Sequence, residues 1–576
     1  MRYHALACDY DGTIAKDGRV DAETFTALQE LKASGRKLLL VTGRELEQLE
    51  VVFPDIHIFD RIVAENGAVV LTPATRELRL LADRPDERFL SALRSQNIQP
   101  LSVGHVIVAT WQPNETAVMR LIRDFGLELQ IIFNKGAVMI LPSGINKAAG
   151  LIAALRDLKL SPHNVAGIGD AENDHAFLEI CECSAVTANA VPMLKEKADF
   201  ICSAGHGAGV RELIAEMLKS DLVVVEDGLK RHNIVIGTAH GEELTVPGYG
   251  SNVLVAGTSG GGKTTFATSF LERLTEHKYQ FCIVDPEGDY DDLEKTVMFG
   301  DAKHPPALYE AISVLEDPDQ NVVLNLLGVP LADRPALSGR ILSQLQELRA
   351  GTGHPHWVVL DETHHLLPRE WTSSRAALPA EITGFLMVTV HPESLSREAL
   401  SPIDILVVTG ESILKTVKTL CEKLQLQTPA MPKHDLKSGE AVFWKIKDRE
   451  DPIVFETILP EMQHKRHIRK YAEGELAPEG SFYFRGPQGK LNLRAQNLIM
   501  FLQIAEGVDD QTWLYHLRRG DYSRWFGERI KDPDLAEEAA RVERNGSLSA
   551  EKSRELIRNA IEQRYTAPAS LQNERT

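Results

Sequence analysis

The run GTSGGGKT, Gly257 through Thr264, directly follows the apolar segment NVLVA and leads into the helix-patterned stretch FATSFLERL. Few folds accommodate that order. The spacing G-x-x-x-x-G-K-[ST], entered from a strand and left by a helix, makes a turn whose backbone N–H groups close around phosphate. A strand handing over to a helix implies a parallel sheet with helical crossovers. The same rhythm runs through most of the chain. HALACDY, AETFTALQELKASG and KLLLVTG alternate strand and helix patterns from Met1 to about Ser220. VVVE, NIVIG and ELTV, between Asp221 and Pro247, read as a small antiparallel ribbon. NVLVA, FCIVDPEGDY, NVVLNL, HWVVLDE, FLMVTV and DILVVTG then give six apolar strands, closed by a ribbon of EAVFWKI and PIVFETI.

At 576 residues the chain exceeds what one core supports. The fold class expected is α/β: two parallel-sheet domains, 1–220 and 221–462, followed by a mainly helical domain over 463–576. Lys and Arg number 63 against 82 Asp and Glu, a formal charge of −19. A surface built to coat nucleic acid or anionic lipid needs the opposite balance. Six cysteines are too few for a disulfide scaffold, and Cys181 and Cys183 have no second pair to complete a zinc site, so packing is their expected role. No run reaches the length of a membrane span, and no charged-then-apolar leader precedes the first strand. A cytoplasmic location is expected.

The first candidate site is acidic. Asp9 and Asp11 flank Tyr10 at the end of the first apolar run, followed by Gly12 and Thr13. On an extended backbone, residues two apart face one side, so two carboxylates would meet at the carboxyl edge of a parallel sheet, where ligands bind in open α/β folds. A divalent cation relieves their repulsion. Thr42-Gly43-Arg44 ends the next apolar run, Lys147 opens a helix in SGINKAAG, and Asp170, Asn173 and Asp174 lie in GIGDAENDHAF.

These four stations, in this order, resemble the haloacid dehalogenase-like phosphohydrolases over about residues 1–220. The AENGAV run (Ala64 to Val69) is similar to the Cof-type branch, which acts on sugars and other small phosphate esters. The resemblance implies that Asp9 attacks phosphorus and carries an aspartyl-phosphate, while Asp11 protonates the leaving oxygen and then activates water. It implies that Thr42, Gly43, Lys147 and Asn173 bind phosphate. Asp9, Asp11 (through its carbonyl), Asp170 and Asp174 would hold or orient one Mg²⁺. The cap expected over about 82–135 is short, resembling archaeal-type phosphoglycolate phosphatases and sucrose-phosphate phosphatases. A small phosphorylated metabolite is the implied substrate. Arg44 reads as a solvated residue at a helix start, with a substrate contact as the alternative.

The second site gathers on the glycine-rich turn: Gly257, Thr258, Ser259, Gly260, Gly261, Gly262, Lys263, Thr264 and Thr265. Its backbone would cradle the phosphates of ATP, with Lys263 on the β- and γ-phosphates and Thr264 on Mg²⁺. HWVVL runs into Asp361, suited to the magnesium shell, and Glu362, suited to polarising water. With Asp285, Glu287, Asp289 and Thr389, the segment over about 225–460 resembles the HerA/FtsK branch of P-loop ATPases, which includes DNA-pumping and secretion motors. Val390 stands where that branch has Gln after the sensor Thr, and Arg397 is the candidate arginine finger.

In the last segment Arg alternates with Trp513, Tyr515, Tyr522, Trp525 and Phe526 at helical spacing. A helical core rimmed with Arg is the expectation, and stacking on nucleotides the alternative. The chain as a whole reads as a Mg²⁺-dependent phosphatase joined to an ATP-binding and hydrolysing module. The competing readings are a hexameric translocase of DNA or protein with the phosphatase as effector or sensor, and an ATP-gated phosphatase. A homo-oligomeric ring, ATP and nucleic acid are the partners those readings imply.

Overall fold

The amino-terminal apolar runs build one eight-stranded sheet, ordered Phe200–Ile201, Cys183–Val186, Val165–Gly169, Ala5–Cys8, Lys37–Val41, Arg61–Ala64, Val69–Thr72, Glu77–Leu80. The first six strands are parallel and the last two return antiparallel. Their side chains feed cores on both faces, Leu6 and Cys8 to one and Ala5 and Ala7 to the other, which is why the runs lack polar alternation. The computed structural model describes all residues except 135, 259–260, 291–292, 294, 370–382, 433–435, 438, 449, 462–475, 477–479, 490, 531 and 566–576. Contacts divide the chain into two units, Met1–Ile458 and Leu459–Thr576.

A second, antiparallel sheet, ordered Ser102–Val103, Val108–Trp111, Ala137–Pro142, Leu129–Asn134, forms the cap. The helices Glu87–Ser95 and Glu115–Asp124 bury Phe89, Leu93, Val118 and Leu121 with Val108 and Ile140. The cap therefore continues past the expected end at 135, because its central strand is the last in sequence.

The third sheet has eleven strands. Seven parallel ones run Ile405–Thr409, Asn252–Gly257, Phe385–Thr389, Trp357–Leu360, Phe281–Asp285, Asn321–Asn325, Thr296–Phe299. The seventh, Thr296–Phe299, is a half-buried edge strand of four residues, too short to show as an apolar run. Glu440–Lys445, Ile453–Thr457, Ile234–Ala239 and Glu242–Val246 extend the other edge antiparallel. VVVE, expected in that ribbon, is instead part of the 3-10 helix Val223–Gly228. The chain turns at Asp221 and Leu222, both with positive φ, and Asp221 is held there by Arg36 at 2.8 Å.

The two parallel sheets meet at the amino ends of their strands. His163, just ahead of Val165–Gly169, stacks on Tyr279 with ring centroids 3.7 Å apart and donates from Nε2 to His277 O at 2.8 Å. Tyr279 donates its hydroxyl to Glu182 at 3.0 Å, and Arg2 pairs with the same buried carboxylate. Asn164 donates to Gly353 O at 3.2 Å, just ahead of Trp357–Leu360. The carboxyl ends, where Asp170 and Asp361 follow their strands, consequently point away from each other. Two five-residue strands end to end span about 33 Å.

The second unit combines the hairpin Phe482–Phe484 and Leu493–Ala495 with the helices Leu498–Gly507, Asp510–Arg518, Asp521–Glu528, Pro533–Arg544 and Ala550–Tyr565. Asn497, Asp509 and Asp532 cap three of these helices by accepting backbone N–H bonds. Trp513, Tyr522, Trp525 and Phe526 are buried in its core, as the core reading requires.

Candidate functional site

Three neighbouring strands deliver the acidic site. Asp9 follows Ala5–Cys8, Thr42 follows Lys37–Val41, and Asp170 follows Val165–Gly169. The helix Lys147–Asp157 places Lys147 at its first residue, with Asn146 accepting from Ala149 N at 2.9 Å. A lysine there opposes the helix dipole, and two carboxylates offset it. Lys147 Nζ bonds Asp9 Oδ1 and, at 2.6 Å, Asp174 Oδ1. Asp9, Asp170 and Asp174 are buried, with one oxygen of each inside 4.8 Å of the others. The other Asp174 oxygen accepts from Asp170 N at 2.8 Å and Ala171 N at 2.9 Å.

Burial, and next the Asp174 carboxylate, push Asp9 up to about 8. Burial alone would lower Lys147, but Asp174 and Asp9 outweigh it and raise it. Among the described residues the three crowded carboxylates gather around the Lys147 ammonium, and their hard oxygen donors fit Mg²⁺. Gly12, at φ +90, leaves room for this set, since a Cβ there would lie 2.3 Å from Asp170 Oδ2.

Asp11 departs from its expected place. The strand ends at Cys8, and Tyr10 to Gly12 form a turn, so Asp9 and Asp11 do not share a face. The Asp11 carboxylate lies outside the buried acid cluster and takes a bidentate bond from Arg44 at 2.6 and 2.7 Å. Arg44 is thus an ion-pair partner rather than a solvated residue. Sequence reading also missed Asn189, which donates to Asp170 Oδ2 at 3.1 Å and to Gly12 O at 2.9 Å. Its signal was a polar residue just beyond the strand Cys183–Val186.

Thr42 is buried, its hydroxyl accepting from Arg44 N at 3.1 Å. Asn173 donates to Asn66 Oδ1 at 3.0 Å. A Cβ on Gly43 would stand 3.1 Å from Met139, so a cap strand overhangs the turn that follows Thr42. Glu65 fastens that cap. Its fully buried carboxylate accepts from the cap amides of His105, Val106 and Ile107 at 2.8, 2.8 and 2.9 Å. Glu65→Ala strands three amides, each costing about 1–3 kcal/mol if left unmet. Amide exchange over residues 105–107 is expected to accelerate at least about 10-fold, read by mass spectrometry. Unchanged exchange would show that other contacts hold the cap.

At the glycine-rich turn, Gly262 has φ +96 and precedes the helix Lys263–Glu276. Gly257 admits no Cβ, which would sit 2.2 Å from Thr409 O. Lys263 Nζ donates to Thr258 O at 2.9 Å, while Thr264 and Thr265 open the helix beside it. Ser259 and Gly260 lie outside the described residues. The strand Phe385–Thr389 separates the Gly257 strand from the Asp361 strand. Burial, and next Asp285, push Asp361 up to about 8. Burial and Glu287 raise Glu362. Burial lowers Lys263 although Glu362 and Asp361 oppose it, which places the three within electrostatic reach.

Asp285 caps its own loop, accepting from Glu287, Gly288 and Tyr290 N–H groups at 2.8–3.1 Å. Thr389 accepts from His391 N at 3.0 Å, and His364 Nδ1 lies 3.2 Å from the same hydroxyl. His364 and His391 thus supply polar groups next to Val390, which no sequence spacing indicated. Arg397 is exposed and donates to Gln425 Oε1 at 3.2 Å.

Residues 6–94 and 115–214 match the family model described as haloacid dehalogenase-like hydrolase, and residues 249–345 match that described as Helicase HerA, central domain. The chain is 30% identical over 223 residues to a phosphoglycolate phosphatase of Methanothermobacter thermautotrophicus, covering 37% of this chain and 98% of that protein. It is 28% identical over 238 residues to phosphoglycolate phosphatase 1 of Saccharolobus solfataricus, covering 38% and 97%. A haloacid dehalogenase-like hydrolase from Bacteroides thetaiotaomicron, 17% identical, superposes with a TM-score of 0.34 over 37% of this chain and 99% of that one. The eight-stranded sheet with its acid-bearing strand ends therefore places the chain among the haloacid dehalogenase-like hydrolases, and the same chain continues into a segment similar to the central domain of helicase HerA.

Proposed function

We propose that the chain is a Mg²⁺-dependent phosphatase for a small phosphate ester, joined to a module that binds and hydrolyses ATP. The observation that carries the first half is the bridge from Lys147 to both Asp9 and Asp174 within the buried acid cluster. Asp9 attacks phosphorus, forming an acyl phosphate as the ester P–O bond breaks. Asp11 gives its proton to the departing oxygen. It then takes one from the water that attacks phosphorus and returns Asp9 to a carboxylate. Arg44 holds Asp11 at the rim and must yield it for these transfers. Thr42, the Gly43 N–H and Asn173 bind the phosphate oxygens, and Lys147 offsets their growing charge. Asp9, Asp170, Asp174 and the Asp11 carbonyl would hold Mg²⁺, which supplies charge neutralisation at the phosphoryl group when bound.

Phosphoglycolate phosphatases among the relatives make 2-phosphoglycolate the first ester to try. Phosphate release that stops with chelator and returns with Mg²⁺ is expected; release indifferent to both would contradict the metal assignment.

In the ATPase module, the turn from Gly257 to Thr265 would hold the phosphates, with Lys263 on the β- and γ-phosphates, Thr264 and Asp361 as the residues to hold Mg²⁺, and Glu362 to polarise water. The HerA central-domain match favours a second reading, a hexameric ring that moves a polymer and carries the phosphatase as effector. Mass measurement with and without ATP separates the two, since only the motor requires a ring.

A further inference from the structure

The Arg and aromatic residues of the last segment part company in the fold. The Trp and Phe side chains enter the core, while Arg485, Arg519, Arg524 and Arg529 line one open pocket of about 340 Å³ with Tyr483 and Tyr515. Charge divides in the same way. Residues 459–576 hold 19 Lys and Arg against 18 Asp and Glu, whereas residues 1–458 hold 44 against 64. The acidic balance that argues against polyanion binding thus belongs to the first unit alone.

The arginines are arranged rather than scattered. The Arg485 guanidinium carbon lies 5.2 Å from the Tyr483 ring centroid, and that of Arg519 lies 5.1 Å from Tyr515. Each guanidinium stands over its ring in cation–π contact, with N–H groups able to fork onto phosphate oxygens. Asp521, bonded to His516 at 2.8 Å, lies 3.4 Å from both Arg519 and Arg524 and positions them. Glu528 is the other acid of the pocket, so four guanidiniums face two carboxylates.

We propose that this pocket binds a nucleotide unit, its phosphate held by the arginines and its base stacked on the tyrosine–guanidinium pairs. The unit comes either from a free nucleotide or from a single strand. A bare carboxylate or sulfate would use only the guanidinium edges, whereas a nucleotide also offers a base to stack on the tyrosine–guanidinium pairs. The proposal is independent of the phosphatase and of the glycine-rich turn.

The test measures fluorescence anisotropy of a labelled twelve-residue oligothymidylate with the full chain. Binding is expected, weakened at least about 10-fold by Arg485→Gln with Arg529→Gln, and about 5-fold or more by Tyr515→Ser. Arg485 and Arg529 are exposed and Tyr515 is half-buried, and an unchanged melting curve shows that the fold survives. Displacement by thymidine monophosphate assigns the site to a free nucleotide, and resistance to it assigns the site to a strand. No binding, binding untouched by the arginine changes, or loss confined to the arginine changes with Tyr515→Ser neutral would each overturn the proposal.

Discussion

An Asp9→Asn chain is expected to lose phosphate release from 2-phosphoglycolate by on the order of 10³-fold or more, while ATP hydrolysis continues at its original rate. The amide keeps the shape of the side chain but offers no nucleophilic oxygen. The fold should not suffer. Burial, and next the Asp174 carboxylate, push Asp9 up to about 8, so folding favours its protonated form. Above the unfolded pKa the unfolded chain gives up the Asp9 proton while the folded chain still holds it, a penalty to stability that grows as pH rises toward 8. A neutral amide removes it. The melting temperature at pH 7.5 without Mg²⁺ should be no lower than that of the original chain. Retained turnover would remove Asp9 as nucleophile, and loss of both activities would contradict separate sites.

Lys263→Ala is expected to weaken ATP binding about 100-fold, measured by calorimetry, and to leave turnover of the phosphate ester unchanged. A charged contact to phosphate is worth about 1.5–3 kcal/mol, and this lysine has two phosphates to serve. Its Nζ, now on Thr258 O, needs only a side-chain rotation to leave that carbonyl. The ester site should not respond, because the sheets dock at their amino ends and the two carboxyl edges lie on opposite sides. Unaltered ATP affinity would show that the glycine-rich turn is not the nucleotide site. A matching fall in ester turnover would show that the docked ends transmit the nucleotide state, which favours the ATP-gated reading.

The strand ends were the legible part of this molecule. Asp9, Thr42, Asp170 and Asp361 each terminate a continuous apolar run, and a parallel sheet brings such ends to one edge. The turn before the helix Lys263–Glu276 was legible because GTSGGGKT stands between an apolar run and a helix-patterned stretch. Contacts between distant segments were not. Nothing in TGR says that Arg44 turns back to Asp11, because the turn after Cys8 depends on Gly12 making room for Asp170. Glu65 reads as part of a loop until the cap lays three amides on it. The meeting of the two sheets rests on His163, Glu182, Tyr279 and Arg2, scattered residues that gain meaning only when buried together.

The acyl phosphate at Asp9 is the intermediate on which the proposed chemistry turns. Mixing the Mg²⁺-loaded chain with 2-phosphoglycolate, quenching in acid within milliseconds and sequencing the peptides by mass spectrometry reads it. The expected result is a phosphoryl group on Asp9, absent from the Asp9→Asn chain and gone once substrate is exhausted. Rapid phosphate release with Asp9 unmodified at every time point would contradict the mechanism.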